Sequence, residues 1–110
     1  MSQLTRKFMR LIVFFDLPTT SKAEKRAYTL FRRFLVKDGY DMIQWSVYGR
    51  IVNGWDDANT HLKRLTANLP SAGSVRCLQI SEKQFAQIRL LVGTLSRQEK
   101  KINADQMLLF

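Results

Sequence analysis

The sequence predicts an α+β domain in which an antiparallel sheet carries two helices on one face, threaded in the order β, α, β, β, α, β. Apolar residues recur at three- and four-residue spacing in two long stretches, and shorter runs with strand character lie before, between and after them. The 110 residues suffice for a single domain with its own core, without disulfide or metal staples.

Met9 to Phe15 reads as the first strand, because β-branched and aromatic residues dominate a short run that a polar break closes. The run does not alternate, so both of its faces are expected to be covered. Pro18 holds Leu17 away from helical geometry. Ser21 followed by Glu24 fits a capping box, which starts the first helix at about Ser21, and Gly39 supplies a left-handed stop after Asp38. At about 100° per residue, Ala23, Ala27, Leu30, Phe31, Phe34 and Leu35 fall on one side of this helix. Lys22, Lys25, Arg26, Arg32, Arg33 and Lys37 gather on the other, forming a basic stripe.

From Tyr40 to Val52, alternation sets Ile43, Trp45, Val47 and Ile51 against Gln44, Ser46, Tyr48 and Arg50, so the first group is expected to be the apolar face. The segment is long for one strand, and a tight hairpin near Trp45 and Ser46 is expected. Trp55, Ala58, Leu62, Leu65 and Leu69 then form the stripe of a second amphipathic helix, ended by Pro70 and "SAGS". His61 flanks that stripe and reads as a surface residue. Ser74 to Ile80 is a strand with Val75 and Cys77 on one face and Arg76, Leu78 and Ile80 on the other. "SEKQF" reads as a turn, and Ile88 to Val92 as a further strand, with a helix as the alternative.

This order is that of a ferredoxin-like sandwich, assigned to residues 1–93. Residues 94–110 form a tail whose terminal "MLLF" is expected to add an edge strand to a sheet, in cis or on a partner subunit. With both helices on one face, the other face of the sheet needs cover. A second copy related by a two-fold axis supplies it, which predicts a homodimer through the sheets.

Lysine and arginine number 18 against 9 acids, a net charge of +9. Residues 1–37 hold nine basic residues against two acids, Asp16 and Glu24, so most of the excess lies there. So lopsided a field suits a polyanion, nucleic acid ahead of an anionic membrane surface. Cys77 is the single cysteine, which excludes an intramolecular disulfide and a cysteine metal cluster. The apolar run Leu11–Phe15 is too short to span a bilayer and the first ten residues lack a signal-peptide pattern, so a cytosolic protein is expected.

Glu24 has a capping role; Asp16 has none. An aspartate directly after a buried strand sits at the carboxyl end of the sheet, where ligands of many α/β folds lie. Hard cations such as Mg²⁺ take carboxylate oxygens, keep several waters and bridge to phosphate oxygens. Asp16 is therefore a candidate metal ligand; the alternative is a turn aspartate bonding its own backbone, and a catalytic role for Asp16 comes only with the resemblance below. Lys7, Arg10, Lys22, Lys25, Arg26, Arg32 and Arg33 are the candidates for phosphate contact. Ser46 and Tyr48, on the polar side of their strand, are candidates to bond a phosphate or water, or to bond across the dimer. No Gly-rich phosphate loop, serine triad or zinc spacing is present.

"RLIVFFDLP", "KRAYTLFRRFLVKDGY", "QWSVYGRI" and "ISEKQFAQIRLLVG" closely resemble the CRISPR-associated Cas-two family, in the flavour that accompanies single-effector systems. The strand with its terminal aspartate, followed by Gln-x-Ser-Val-aromatic, is the specific combination. The resemblance implies a prokaryotic, cytoplasmic, ferredoxin-like homodimer whose tail strands augment the sheets. It implies Mg²⁺-dependent endonuclease activity on single-stranded RNA or double-stranded DNA, with Asp16 binding the metal. It also implies a non-catalytic bridge between two integrase dimers that holds protospacer duplex for spacer integration. Two-metal hydrolysis normally uses several acids, and the scarcity of acids around Asp16 favours the bridge as the main role. A non-catalytic RNA-binding module of the same topology is the alternative, although no Lys/Arg-Gly-aromatic RNP run occurs. A small-molecule regulatory domain fits a charge of +9 poorly.

Overall fold

The computed structural model describes residues 8–96, 98 and 99. Its elements are β1 (Phe8–Asp16), α1 (Lys22–Lys37), β2 (Asp41–Gln44), β3 (Val47–Asn53), α2 (Gly54–Ala67), β4 (Ser74–Ser81) and a short α3 (Glu82–Ala86). The four strands form one antiparallel sheet in the order β2-β3-β1-β4. The expected element order is present, and the order of strands in the sheet is ferredoxin-like. Lys7 and the terminal strand of the tail lie outside the described residues.

The capping box forms as the sequence predicts: the Glu24 backbone N–H donates to Ser21 Oγ and the Ser21 N–H to Glu24 Oε1. Gly39 carries φ +91°, and a Cβ there would meet the Arg50 guanidinium at 2.8 Å, so both backbone and space favour glycine at this helix exit.

Because side chains of β1 alternate, Leu11, Val13 and Phe15 enter the core while Arg10, Ile12 and Phe14 face the other way. Phe31 and Leu35 of α1, Ala58 and Leu65 of α2, and Tyr48 and Val52 of β3 complete that core. Both long helices therefore lie on one face of the sheet.

The face of β3 is the reverse of the expected one. Tyr48 and Val52 are fully buried under the helices, whereas Ile51 is 46% exposed on the other side. Alternation gave the period correctly, but Val, Ile and Trp outrank Tyr and Arg in hydrophobicity without being the set that meets α1 and α2. The predicted helix faces need smaller changes: Leu30, Trp55 and Leu69 are exposed. His61, expected at the surface, is buried.

The segment read as a turn is α3, started by a second capping box between Ser81 and Gln84. It packs on the opposite face of the sheet from α1 and α2, with Phe85 buried against the guanidinium of Arg10 at 4.4 Å from the ring centre. Residues 88–92 form neither strand nor helix, and Leu91 and Val92 are exposed. Among the described residues no helix is long and apolar enough to cross a membrane.

Candidate nucleic-acid interface and metal position

Asp16 closes β1, paired with Ser74 of β4, and its side chain is exposed. Its backbone is held from two sides. The preceding residue donates from Phe15 N–H to the Ser46 carbonyl at 3.1 Å, which ties the β2–β3 turn to the end of β1. On the other side the α2–β4 turn packs so closely that a Cβ on Gly73 would stand 2.5 Å from the Asp16 carbonyl oxygen. The Asp16 carboxylate has no hydrogen-bond or ion-pair partner among the described residues. A recess of about 210 Å³ is lined there by Phe14, Phe15, Asp16, Trp45, Ser46, Val47, Ser74 and Arg76.

A hard cation fits this donor set in one form. Mg²⁺ is commonly held by one or two carboxylates, with waters and substrate phosphate oxygens completing its shell. The unpaired Asp16 carboxylate meets that requirement, and among the described residues no group of three or more acidic, His or Cys side chains is arranged to hold a metal ion as a protein-only cage. Asp16 would be the ligand; Ser46 lines the same recess.

The basic candidates separate into two groups. Lys22, Lys25, Arg26 and Arg33 are exposed along α1, and none forms an ion pair among the described residues. Glu24, the acid in their midst, is occupied by the capping box, and its hydrogen bonds from the Ser21 and Thr20 backbone hold its carboxyl below the ordinary range. With four cations beside one ionised acid, the stripe carries a net positive field of the kind that attracts phosphates.

Arg10 and Arg32 have other occupations. Arg10 is 5% exposed; it forms an ion pair with Glu82, donates to Gln98 and covers the Phe85 ring. It anchors α3 on the sheet and presents nothing to a phosphate. Arg32 donates from Nε to Tyr48 Oη at 2.7 Å and lies 5.8 Å above the Trp45 ring. The hydrogen bond to Tyr48 holds the Arg32 guanidinium above its usual pKa. Tyr48 itself faces the core and not the polar side of the sheet, because β3 turns that set of side chains toward the helices. Ser46 occupies the hairpin turn with φ +63° and accepts from Phe15 N–H through its carbonyl.

Two features escaped sequence reasoning. Trp45 is 68% exposed although it alternates with strand residues, because it sits in the turn and not within a strand. Arg76 joins the Asp16 recess from β4, a placement that only the pairing of Phe14 with Arg76 reveals.

The sequence profile of the family described as CRISPR associated protein Cas2 matches residues 9–88. A relative from Acidovorax ebreus (strain TPSY), named CRISPR-associated endoribonuclease Cas2, is 67% identical over 102 residues, covering 93% of this chain and 100% of its own length. Relatives of the same name from Campylobacter jejuni and Parvibaculum lavamentivorans are 43% and 40% identical, covering 94% and 93% of this chain and 73% and 100% of their own lengths. The matched span runs from the first core strand through α3, so the strand-end aspartate, the basic helix and the hairpin all fall inside it, and the chain belongs to the CRISPR-associated Cas2 family.

Proposed function

We propose that this chain acts in CRISPR adaptation as a two-fold homodimer that bridges integrase dimers and holds protospacer duplex. The same dimer would carry a Mg²⁺-dependent endonuclease activity on single-stranded RNA or duplex DNA. The observation that carries the reading is the unpartnered Asp16 carboxylate at the end of β1, in a chain whose first helix bears a basic stripe of net positive charge. The names of the relatives support the nuclease. The single-effector subtype rests on the motif flavour alone, and cytoplasmic action in a prokaryote follows from the family.

The dimer is supported by the sheet face away from the long helices. Phe14, Ile51 and Leu78 are each 38–51% exposed there, Phe14 and Leu78 beside Ile12, and Ile51 across from Arg10, apolar surface that a second copy would cover in an isologous contact. In the bridging role, Lys22, Lys25, Arg26 and Arg33 hold phosphates without reading bases, as acceptance of many spacer sequences demands.

In the nuclease role, Asp16 would hold the cation, and the α1 cations would hold phosphates of the same strand by charge. Bound Mg²⁺ supplies polarisation of a phosphoryl oxygen and a water of lowered pKa. A binding module without catalysis is the second reading, favoured by the lone carboxylate.

Cleavage assays on RNA and duplex DNA with and without Mg²⁺, run beside a spacer-acquisition assay, test the proposal. Asp16→Asn should abolish metal-dependent cleavage and leave acquisition intact. Loss of acquisition in a folded, dimeric Asp16→Asn protein would overturn the bridging role, and absence of metal-dependent cleavage by the unaltered chain would leave the binding module.

A further inference from the structure

We propose that Trp45 is a stacking platform for an unpaired nucleobase, which delivers the adjoining phosphodiester of a single strand to the recess at Asp16. The inference deepens the nuclease reading above and rests on it: it names the residue that would seat a base of the unpaired strand beside the phosphodiester at Asp16.

The platform is built from four contacts. Trp45 stands at the tip of the β2–β3 hairpin, 68% exposed, so much of its ring is open to a stacking partner. Its ring is braced by Tyr28 of α1, centroids 5.8 Å apart and planes within 25°. Arg32 lies over the same ring at 5.8 Å and is itself fixed by its hydrogen bond to the buried Tyr48 hydroxyl. Tyr28 in turn meets Phe15 edge-on at 6.1 Å, so an aromatic series runs from the surface to the core residue next to Asp16. A rigid, pre-placed ring loses little freedom on binding, which is what favours base stacking.

Its position relative to the acid is equally defined. The hydrogen bond from Phe15 N–H to the Ser46 carbonyl joins the residue after Trp45 to the residue before Asp16. Trp45 and Asp16 accordingly line one recess, with Ser46 and Arg76 between and beside them. A base stacked on the indole has its sugar-phosphate at the mouth of that recess, and Arg32 adds a positive charge at the ring. A base-paired duplex presents no free base face except at its ends, so the platform discriminates by strandedness and not by base identity. Trp45 rests on α1, on the helix side of the sheet, whereas Phe14 of the same recess belongs to the open face, so the base would be seated outside the proposed dimer contact and its phosphate at that contact's edge.

The test uses the full chain with Trp55→Phe, which leaves Trp45 as the only tryptophan. Titration with a single-stranded oligoribonucleotide should quench its fluorescence, and a long blunt-ended duplex at equal phosphate concentration, in which end bases are a small fraction, should bind without equal quenching. Trp45→Ala should weaken single-strand binding about tenfold and raise KM for RNA cleavage with kcat little changed, while duplex affinity holds. Trp45→Tyr should restore most of the affinity, which a merely structural role for the side chain would not require once thermal melting shows each variant folded. Equal single-strand affinity in Trp45→Ala, or binding without quenching, would overturn the platform while leaving the nucleic-acid reading in place. No binding of either nucleic acid by the unaltered chain would instead remove the reading beneath it, and the platform with it.

Discussion

His61 Nδ1 lies 2.8 Å from Asp38 Oδ2, and this buried contact joins the end of α1 to the middle of α2. Arg64 reaches the other Asp38 oxygen at 3.0 Å, Asp57 faces His61 Nε2 at 3.3 Å, and Arg50 of β3 donates to the Asp38 carbonyl. The cluster closes the helix layer over the sheet with charges that satisfy one another.

Burial alone would raise the Asp38 carboxyl, but hydrogen bonds and attraction from His61 and Arg64 outweigh it and hold the group below its ordinary value of 3.8. The folded state therefore releases this proton more readily than the unfolded chain does. The stability it contributes is complete above the unfolded value and is lost as pH falls through the folded one. Asp38→Asn should cost about 3 kcal/mol at pH 7 and flatten the acid limb of the stability profile. Urea unfolding at a series of pH values from 7 to about 2 measures both effects; a variant as acid-sensitive as the unaltered chain would remove Asp38 from the account.

Arg10 should behave as a structural residue. Arg10→Met keeps the stem but abandons Glu82 and Gln98, so the amides of α3 should exchange faster with solvent and stability should fall by about 1–3 kcal/mol. The salt dependence of DNA binding should not change. A slope reduced by about one unit would return Arg10 to the phosphate footprint.

The exposed cations of α1 should show the opposite pattern. Lys25→Ala/Arg26→Ala/Arg33→Ala should leave the melting temperature nearly unchanged and lower the slope of log K against log salt for duplex DNA by about 2–3. Arg32→Ala should differ from these, since it strips the Tyr48 hydroxyl of its partner and costs about 1–2 kcal/mol of stability. Fluorescence anisotropy across a range of salt concentrations, with a thermal melt for each protein, separates the two behaviours.

Gly73 should be intolerant of any side chain. It carries φ +93°, and the added Cβ of Gly73→Ala would press on the Asp16 carbonyl oxygen and on Leu17. The substitution should lower stability by more than about 1 kcal/mol and reduce metal-dependent cleavage further than the loss of folded protein explains. Cleavage scaled to the folded fraction is the measurement; proportional loss would limit Gly73 to the fold.

The local signals of the chain were legible. The Ser21–Glu24 box, the glycine stop after Asp38 and the hairpin at Trp45–Ser46 each depend on neighbours within a few residues, and each forms. The same logic reaches α3, whose Ser81–Gln84 pair is a capping box that a turn reading of "SEKQF" passes over. What periodicity could not supply is partnership. His61 looks like a surface residue until Asp38, 23 positions earlier, is folded against it. Arg10 looks like a phosphate ligand until Glu82, 72 positions later, takes it. Ile51 looks like core until β3 is seen to bury Tyr48 and Val52. The isolation of Asp16 was legible because it is itself local: an acid after a strand, with the one other acid of residues 1–37 already engaged by the helix cap.

The alternation of β1 makes the chemistry of this protein sensitive to counting. Phe15 is buried and Asp16, its neighbour, is exposed, a difference produced by one step of the pleat. Substitutions along the strand alter packing by degrees, but the insertion or deletion of a single residue inside it exchanges the two sides. It would turn the acid inward and the phenyl ring outward in one event. The composition of the first strand sets how well the core packs, while the number of residues between its pairing with β3 and the carboxylate sets, as a parity, which side the acid faces.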